Sequence, residues 1–148
     1  MLDKRDPVCY TCIIKGREIE TMIGWFYVGY DFLNRVYGYF KIGESGKQYL
    51  STRLGQIRQN DAFECLGFLK LFNVTDAERW FIESAVRLAM ERAGFTHTQK
   101  DHFLYTIEKG RKVEQAQEIA EQALAFAIGA CELIGVKYEK GYKQYKRR

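Results

Sequence analysis

An α+β architecture, a small mainly antiparallel sheet flanked by helices, is the expectation for this chain on three grounds. Stretches rich in β-favouring aromatic residues, Trp25 to Tyr30 and Tyr39 to Ile42, sit in its first third. Later stretches carry apolar residues every three or four positions, and one of them opens on a helix-capping motif. The order runs strands, helix, strand, helix, strand, helix. With 148 residues, 47% apolar and 15% aromatic, the chain fits a single domain with a real core, residues 1–148.

Residues 8–14 and 17–23 read as two strands around Lys15 and Gly16, an N-terminal hairpin. Gly24 leads into the aromatic strand, residues 31–38 with Asn34 and Gly38 form a connecting loop, and residues 39–42 are the next strand. Leu50, Leu54 and Ile57 place a helix over 47–58. Residues 63–72 are strand-like with apolar residues on both faces, as in a central strand. Thr75-Asp76-Ala77-Glu78 fits the capping box, in which threonine and glutamate side chains satisfy free N–H groups of the first turn. That helix runs to Arg92 and Gly94 ends it. Residues 101–107 suggest a short strand, and His97 falls in a loop. The added C-terminal helix, within residues 108–136, begins near Arg111. Its stripe is Val113, Ala116, Ala120, Ala123, Ala127, Cys131 and Ile134. Tyr138, Tyr142 and Tyr145 prolong the spacing, while Gly135 and Gly141 interrupt it.

No run of 18 apolar residues and no apolar leader is seen, so a soluble, cytoplasmic protein is expected. Of four cysteines, only Cys9 and Cys12 have a metal-like spacing, and the second pair that zinc requires is missing. Buried reduced thiols are the reading for Cys9, Cys12, Cys65 and Cys131. The net charge of +4 is local: residues 137–148, a basic Tyr-rich tail, carry six Lys or Arg and one Glu, a net +5.

The order Trp25 to Tyr30, then Phe40-Lys41-Ile42-Gly43-Glu44-Ser45, then Arg53 ten residues past Gly43, then Glu83 inside Ile82-Glu83-Ser84-Ala85-Val86-Arg87, resembles the core of the GIY-YIG nuclease superfamily over residues 22–107. In that family two short strands bring tyrosines to one edge of a small sheet. A following helix presents an arginine, and a second helix presents a metal-binding glutamate. The resemblance implies a metal-dependent endonuclease hydrolysing DNA, of the phage and bacterial branch whose motif is KIG rather than YIG. Glu83 is then the ligand for Mg²⁺ or Mn²⁺, Arg53 stabilises charge on the phosphate, Tyr27 assists proton transfer and Lys41 binds the phosphate. Strict alignment of Gly24-Trp25-Phe26 with GIY places Phe26 at the first tyrosine position, and Phe26 has no hydroxyl.

These residue types suit the chemistry in their own right. A hard cation takes carboxylate oxygen and keeps several waters, so one protein carboxylate plus a phosphate suffices. A guanidinium is a planar fork of donors matched to phosphate oxygens. A protonated lysine neutralises phosphate but takes no proton from water unless its pKa falls. The alternative for Glu83 is an i, i+4 pair with Arg87.

Ser45, Lys47 and Arg58 are phosphate-binding candidates around the first helix, with helix capping the alternative for Ser45. His102 either lines the cleft or is structural. Lys143, Lys146 and Arg147 place cations between tyrosines, a pattern that neutralises phosphates and stacks on unpaired bases. The expected partner is DNA, and the alanine-rich helix stripe is either core or a homodimer surface. A second functional class stays open: a nuclease-like fold that binds nucleic acid or protein without catalysis.

Overall fold

Phe26 and Val28 alternate with Tyr27, and all three are fully buried, so their strand must be covered on both faces. The computed structural model describes residues 22–31, 37–58, 63–99 and 102–142 and puts that strand, β1 (Ile23–Asp31), inside the sheet. The expected hairpin over 8–14 and 17–23 lies outside the described residues except for its last two positions. Cys9 and Cys12 lie outside them too.

The remaining elements are β2 (Tyr37–Ser45), α1 (Leu50–Arg58), β3 (Glu64–Phe72), α2 (Asp76–Arg92), β4 (Thr96–Gln99), β5 (His102–Thr106), α3 (Lys112–Ile134) and β6 (Lys137–Gly141). The six strands form one open sheet in the order β4-β5-β2-β1-β3-β6, every neighbouring pair antiparallel. The architecture is therefore α+β, with helices on both faces of the sheet. No described helix is long and apolar enough to cross a membrane.

Two hydrophobic cores follow from the alternation in β1. On one face Phe26, Val28, Phe40, Ile42, Leu69, Leu71 and Phe103 meet Ile82, Val86 and Met90 of α2 and the buried stripe of α3. On the other, Tyr27, Phe63 and Cys65 meet Leu50, Leu54 and Ile57 of α1. Fully burying a leucine or isoleucine contributes about 1.5–3 kcal/mol, so α1, only nine residues long, is held by three such anchors rather than by propensity.

A bulge lets β3 serve both cores. Val28 pairs with Gly67 but Gly29 pairs with Cys65, leaving Leu66 as the extra residue. The strand then turns Cys65 toward α1 while Gly67, Leu69 and Leu71 face the larger core. A Cβ on Gly29 would sit 2.3 Å from the Glu64 carbonyl oxygen and from the Phe63 ring, so only glycine passes this crossing.

The α2 capping box forms as expected: Glu78 N–H donates to Thr75 Oγ1 at 3.1 Å and Thr75 N–H to Glu78 Oε1 at 3.0 Å. Gly94 ends the helix at φ 102°.

The structure corrects one sequence expectation and decides two points that the residues left open. His97, expected in a loop, lies in edge strand β4, over Phe103 with ring centroids 5.0 Å apart and with its Nδ1 3.1 Å from Glu91. Thr-His-Thr-Gln carries no hydrophobic alternation, so only pairing with β5 makes it a strand. The C-terminal helix ends at Ile134, before Tyr138 and Tyr142. Gly135 adopts φ 77°, reverses the chain, and Lys137–Gly141 pairs with the open edge of β3, so the first five residues of the expected tail belong to the sheet. The alanine stripe is core: Ala116, Ala120, Ala123, Ala127 and Cys131 are buried inside the protein, where short side chains let α3 sit close to α2 and the sheet.

The fold yields two predictions. Leu124 is fully buried, with its Cδ1 only 2.7 Å from where a Gly67 Cβ would stand. Leu124→Ala should cost about 2–5 kcal/mol in urea unfolding. Leu133→Ala, at a side chain 77% exposed, should stay within about 0.5 kcal/mol. Burial, with a smaller contribution from Glu132, pushes the Cys131 thiol up to about 12. A raised thiol pKa keeps sulfur protonated and inert, so at pH 8 Cys131 should escape iodoacetamide in the folded protein and react once urea unfolds it, as mapped by mass spectrometry.

Candidate active site

Tyr27 and Gly43 are paired residues on adjacent strands, and the phenol of one lies across the other. A Cβ at Gly43 would stand 2.3 Å from the Tyr27 hydroxyl oxygen and 2.4 Å from Cζ. The absence of a side chain at 43 therefore lets the ring lie down on β2. Phe63 closes its other flank edge-on, centroids 6.0 Å apart.

The hydroxyl is met by α1. Leu50 and Leu54 anchor that helix in the smaller core, and Arg53, one residue before Leu54, donates from Nε to the Tyr27 hydroxyl oxygen at 3.2 Å. The guanidinium thus occupies an acceptor position on the phenol oxygen.

The third wall comes from α2, and an ion pair sets its position. Arg79 Nε donates to Glu44 Oε1 at 2.7 Å and Nη2 to Asp76 Oδ1 at 2.7 Å, tying the first turn of α2 to the end of β2. Partial burial lowers the Arg79 pKa, but the hydrogen bonds to Glu44 and Asp76 outweigh it and leave it above its ordinary value. A Cβ on Gly46 would come within 2.7 Å of this guanidinium, so a glycine again makes the approach possible. One turn beyond Arg79, α2 turns Glu83 toward Tyr27.

The result is a cleft of about 370 Å³ lined by Tyr27, Gly43, Glu44, Arg53, Trp80, Glu83, Ser84 and Arg87. Tyr27, Arg53 and Glu83, from three different elements, thus line one space. Phe26 points into the opposite core, so Tyr27 is the first-strand residue at the site.

Lys41 lies on the same sheet face two residues before Gly43, opposite Gly29 and beside His102 of β5, and is not part of the cleft wall. His102 packs with Tyr39, ring centroids 5.0 Å apart, and is likewise outside the wall. Ser45 is 5% exposed and its hydroxyl accepts the Lys47 N–H at 3.0 Å, shaping the turn four residues ahead of α1 rather than capping it. The Lys47 backbone carbonyl accepts the Trp25 indole N–H at 3.0 Å while its side chain is exposed. Arg58 is the last residue of α1. Lys143, Lys146 and Arg147 lie outside the described residues.

Sequence reasoning missed Trp80 and a site role for Arg87. The signal was available in helical spacing: 80, 83, 84 and 87 share one face of a helix. Arg87 Nε is buried and has no hydrogen-bond partner among the described residues. A buried guanidinium N–H left unmatched is costly.

Among the described residues no group of three or more His, Cys, Asp or Glu is arranged to hold a metal ion. The cleft wall carries two carboxylates, Glu44, which is paired with Arg79, and Glu83, and suits a different design in which Glu83 would be the protein ligand and phosphate and water oxygens would complete the shell. Comparisons with protein-family models, with curated proteins and with solved structures find no match for this chain.

The Tyr27 and Gly43 contact makes a specific prediction. Gly43→Ala should displace the phenol from Arg53 and cost about 1–3 kcal/mol in thermal or urea unfolding through overpacking. Tyr27→Ala combined with Gly43→Ala should cost less than the sum of the two single changes, since the clash then has no ring to meet.

Proposed function

We propose that this cleft hydrolyses phosphodiester bonds in DNA with the help of a divalent cation, in the manner of a GIY-YIG endonuclease of phage or mobile-element origin. The observation that carries the reading is the convergence of Tyr27, Arg53 and Glu83 on one cleft, from β1, α1 and α2. The order of these residues in the sequence supports it independently.

Hydrolysis forms one P–O bond from water and breaks another. Negative charge gathers on the phosphate oxygens between the two events. Arg53 and Arg87 are placed to donate to those oxygens, and a guanidinium held by neighbours needs no reorganisation as the charge develops. Glu83 would hold Mg²⁺ or Mn²⁺. Such an ion polarises the phosphoryl oxygen and makes bound water more acidic. The Tyr27 hydroxyl, held by Arg53 and by the absence of a Cβ at Gly43, lines the cleft, where it would relay the proton that water loses.

A second reading, a module that binds nucleic acid without cutting it, is favoured by one observation: Lys41 stands outside the cleft wall. In that case Arg53 and Arg87 serve anion binding alone.

Turnover decides between them. Purified protein with Mg²⁺ or Mn²⁺ should cut plasmid or oligonucleotide DNA, and chelation should stop it. Glu83→Ala should abolish cleavage while leaving the melting curve in place, and Arg53→Ala should lower kcat on the order of 10²- to 10³-fold. Equal cleavage by wild type and Glu83→Ala, or none by either with any divalent ion, sinks the hydrolytic reading.

A further inference from the structure

Trp80 is 57% exposed on the rim of the same cleft. An indole is a large apolar plate, and leaving more than half of it in water beside a set of charged groups calls for an occupant with both characters. Glu83 and Ser84 follow it by three and four residues, within about 6 Å along the helix axis, and Arg87 stands two turns from it. The α2 face therefore offers a flat aromatic surface, then a carboxylate, then a guanidinium, all on the cleft wall. A nucleotide has this composition in this order: a planar base, a sugar, and a phosphate.

We infer that Trp80 is a stacking platform for an unpaired base next to the phosphate held in the cleft, and that the site takes single-stranded DNA. The inference rests on reading the cleft as a phosphodiester site. In a duplex both faces of each base are covered by its neighbours, so an indole at a cleft rim has nothing to stack on. An unpaired base offers a free π-face, whichever base it is. A wholly apolar partner docking on Trp80, Phe81 and Leu88, all exposed on α2, would lay apolar surface over the neighbouring charged groups Glu83 and Arg87. A nucleic-acid strand brings phosphate oxygens to the guanidinium side of the cleft as well as a base to the indole.

The test uses the full chain, in EDTA so that no turnover occurs, with a fluorescently labelled mixed-sequence DNA single strand and its duplex as probes. The wild type should bind the single strand at least about tenfold more tightly than the duplex. Trp80→Ala should weaken single-strand binding roughly 5- to 150-fold and leave duplex binding unchanged, while Trp80→Phe keeps most of the affinity. In a Trp25→Phe background, which leaves Trp80 as the sole tryptophan, the single strand should quench its fluorescence. Because Trp80 is exposed, its variants should melt with the wild type. Unchanged single-strand affinity in Trp80→Ala, equal affinity for both probes, no binding by the wild type, or an effect of Trp80→Ala on sedimentation alone overturns the inference. Without divalent ions this result is independent of cleavage, so failure of the Glu83→Ala turnover test leaves the stacking result intact and separately readable.

Discussion

The cleft depends on one close approach: the phenol ring of Tyr27 lying across the backbone of Gly43. Paired residues on adjacent antiparallel strands bring their side chains to the same face, where two ordinary side chains would stand up beside each other. Here one partner has no side chain, so the other lies down and its hydroxyl reaches the space between α1 and α2. Arg53 then has an oxygen to bind, and α1 is oriented by a polar contact as well as by Leu50, Leu54 and Ile57.

That arrangement works because β1 is central and covered on both faces. The larger core holds α2 and α3 against Phe26, Val28, Phe40 and Ile42, and the smaller one holds α1 against Tyr27, Phe63 and Cys65. The bulge opposite Val28 and Gly29 lets β3 contribute to both. The Arg79 pair with Glu44 and Asp76 joins the two systems at the end of β2, where α2 carries Trp80, Glu83 and Arg87 to the same space that α1 reaches from the other side. The Arg79–Glu44 part is largely withdrawn from water, so its geometry is held more firmly than that of an ion pair on an open surface.

Much of the element order was legible in local chemistry. The capping box at Thr75 and Glu78, the spacing of Leu50, Leu54 and Ile57, and Gly94 each act within a few residues, so the strings that encode them can be read in isolation. β4 and β6 were not legible for the opposite reason. Thr96–Gln99 and Lys137–Gly141 have no apolar alternation, and each is a strand because an open sheet edge lies beside it. The alanine stripe of α3 was visible as a stripe, but whether it faced this chain or another depended on the elements opposite it.

For the site, residue order alone singled out Tyr27, Arg53 and Glu83, because each sits at a fixed offset from a glycine-containing strand or inside an apolar helix. It also singled out Lys41 and Ser45, which proved to stand outside the cleft and in a buried turn. A one-dimensional motif records offsets along the chain, and those are enough to name side chains of the right chemistry. Which of them share a space is decided by sheet register, by the angle at which helices cross the sheet, and by which glycines permit contact. Trp80 and Arg87 became part of the site only through those long-range terms, since nothing within a few residues of either says what lies across from it.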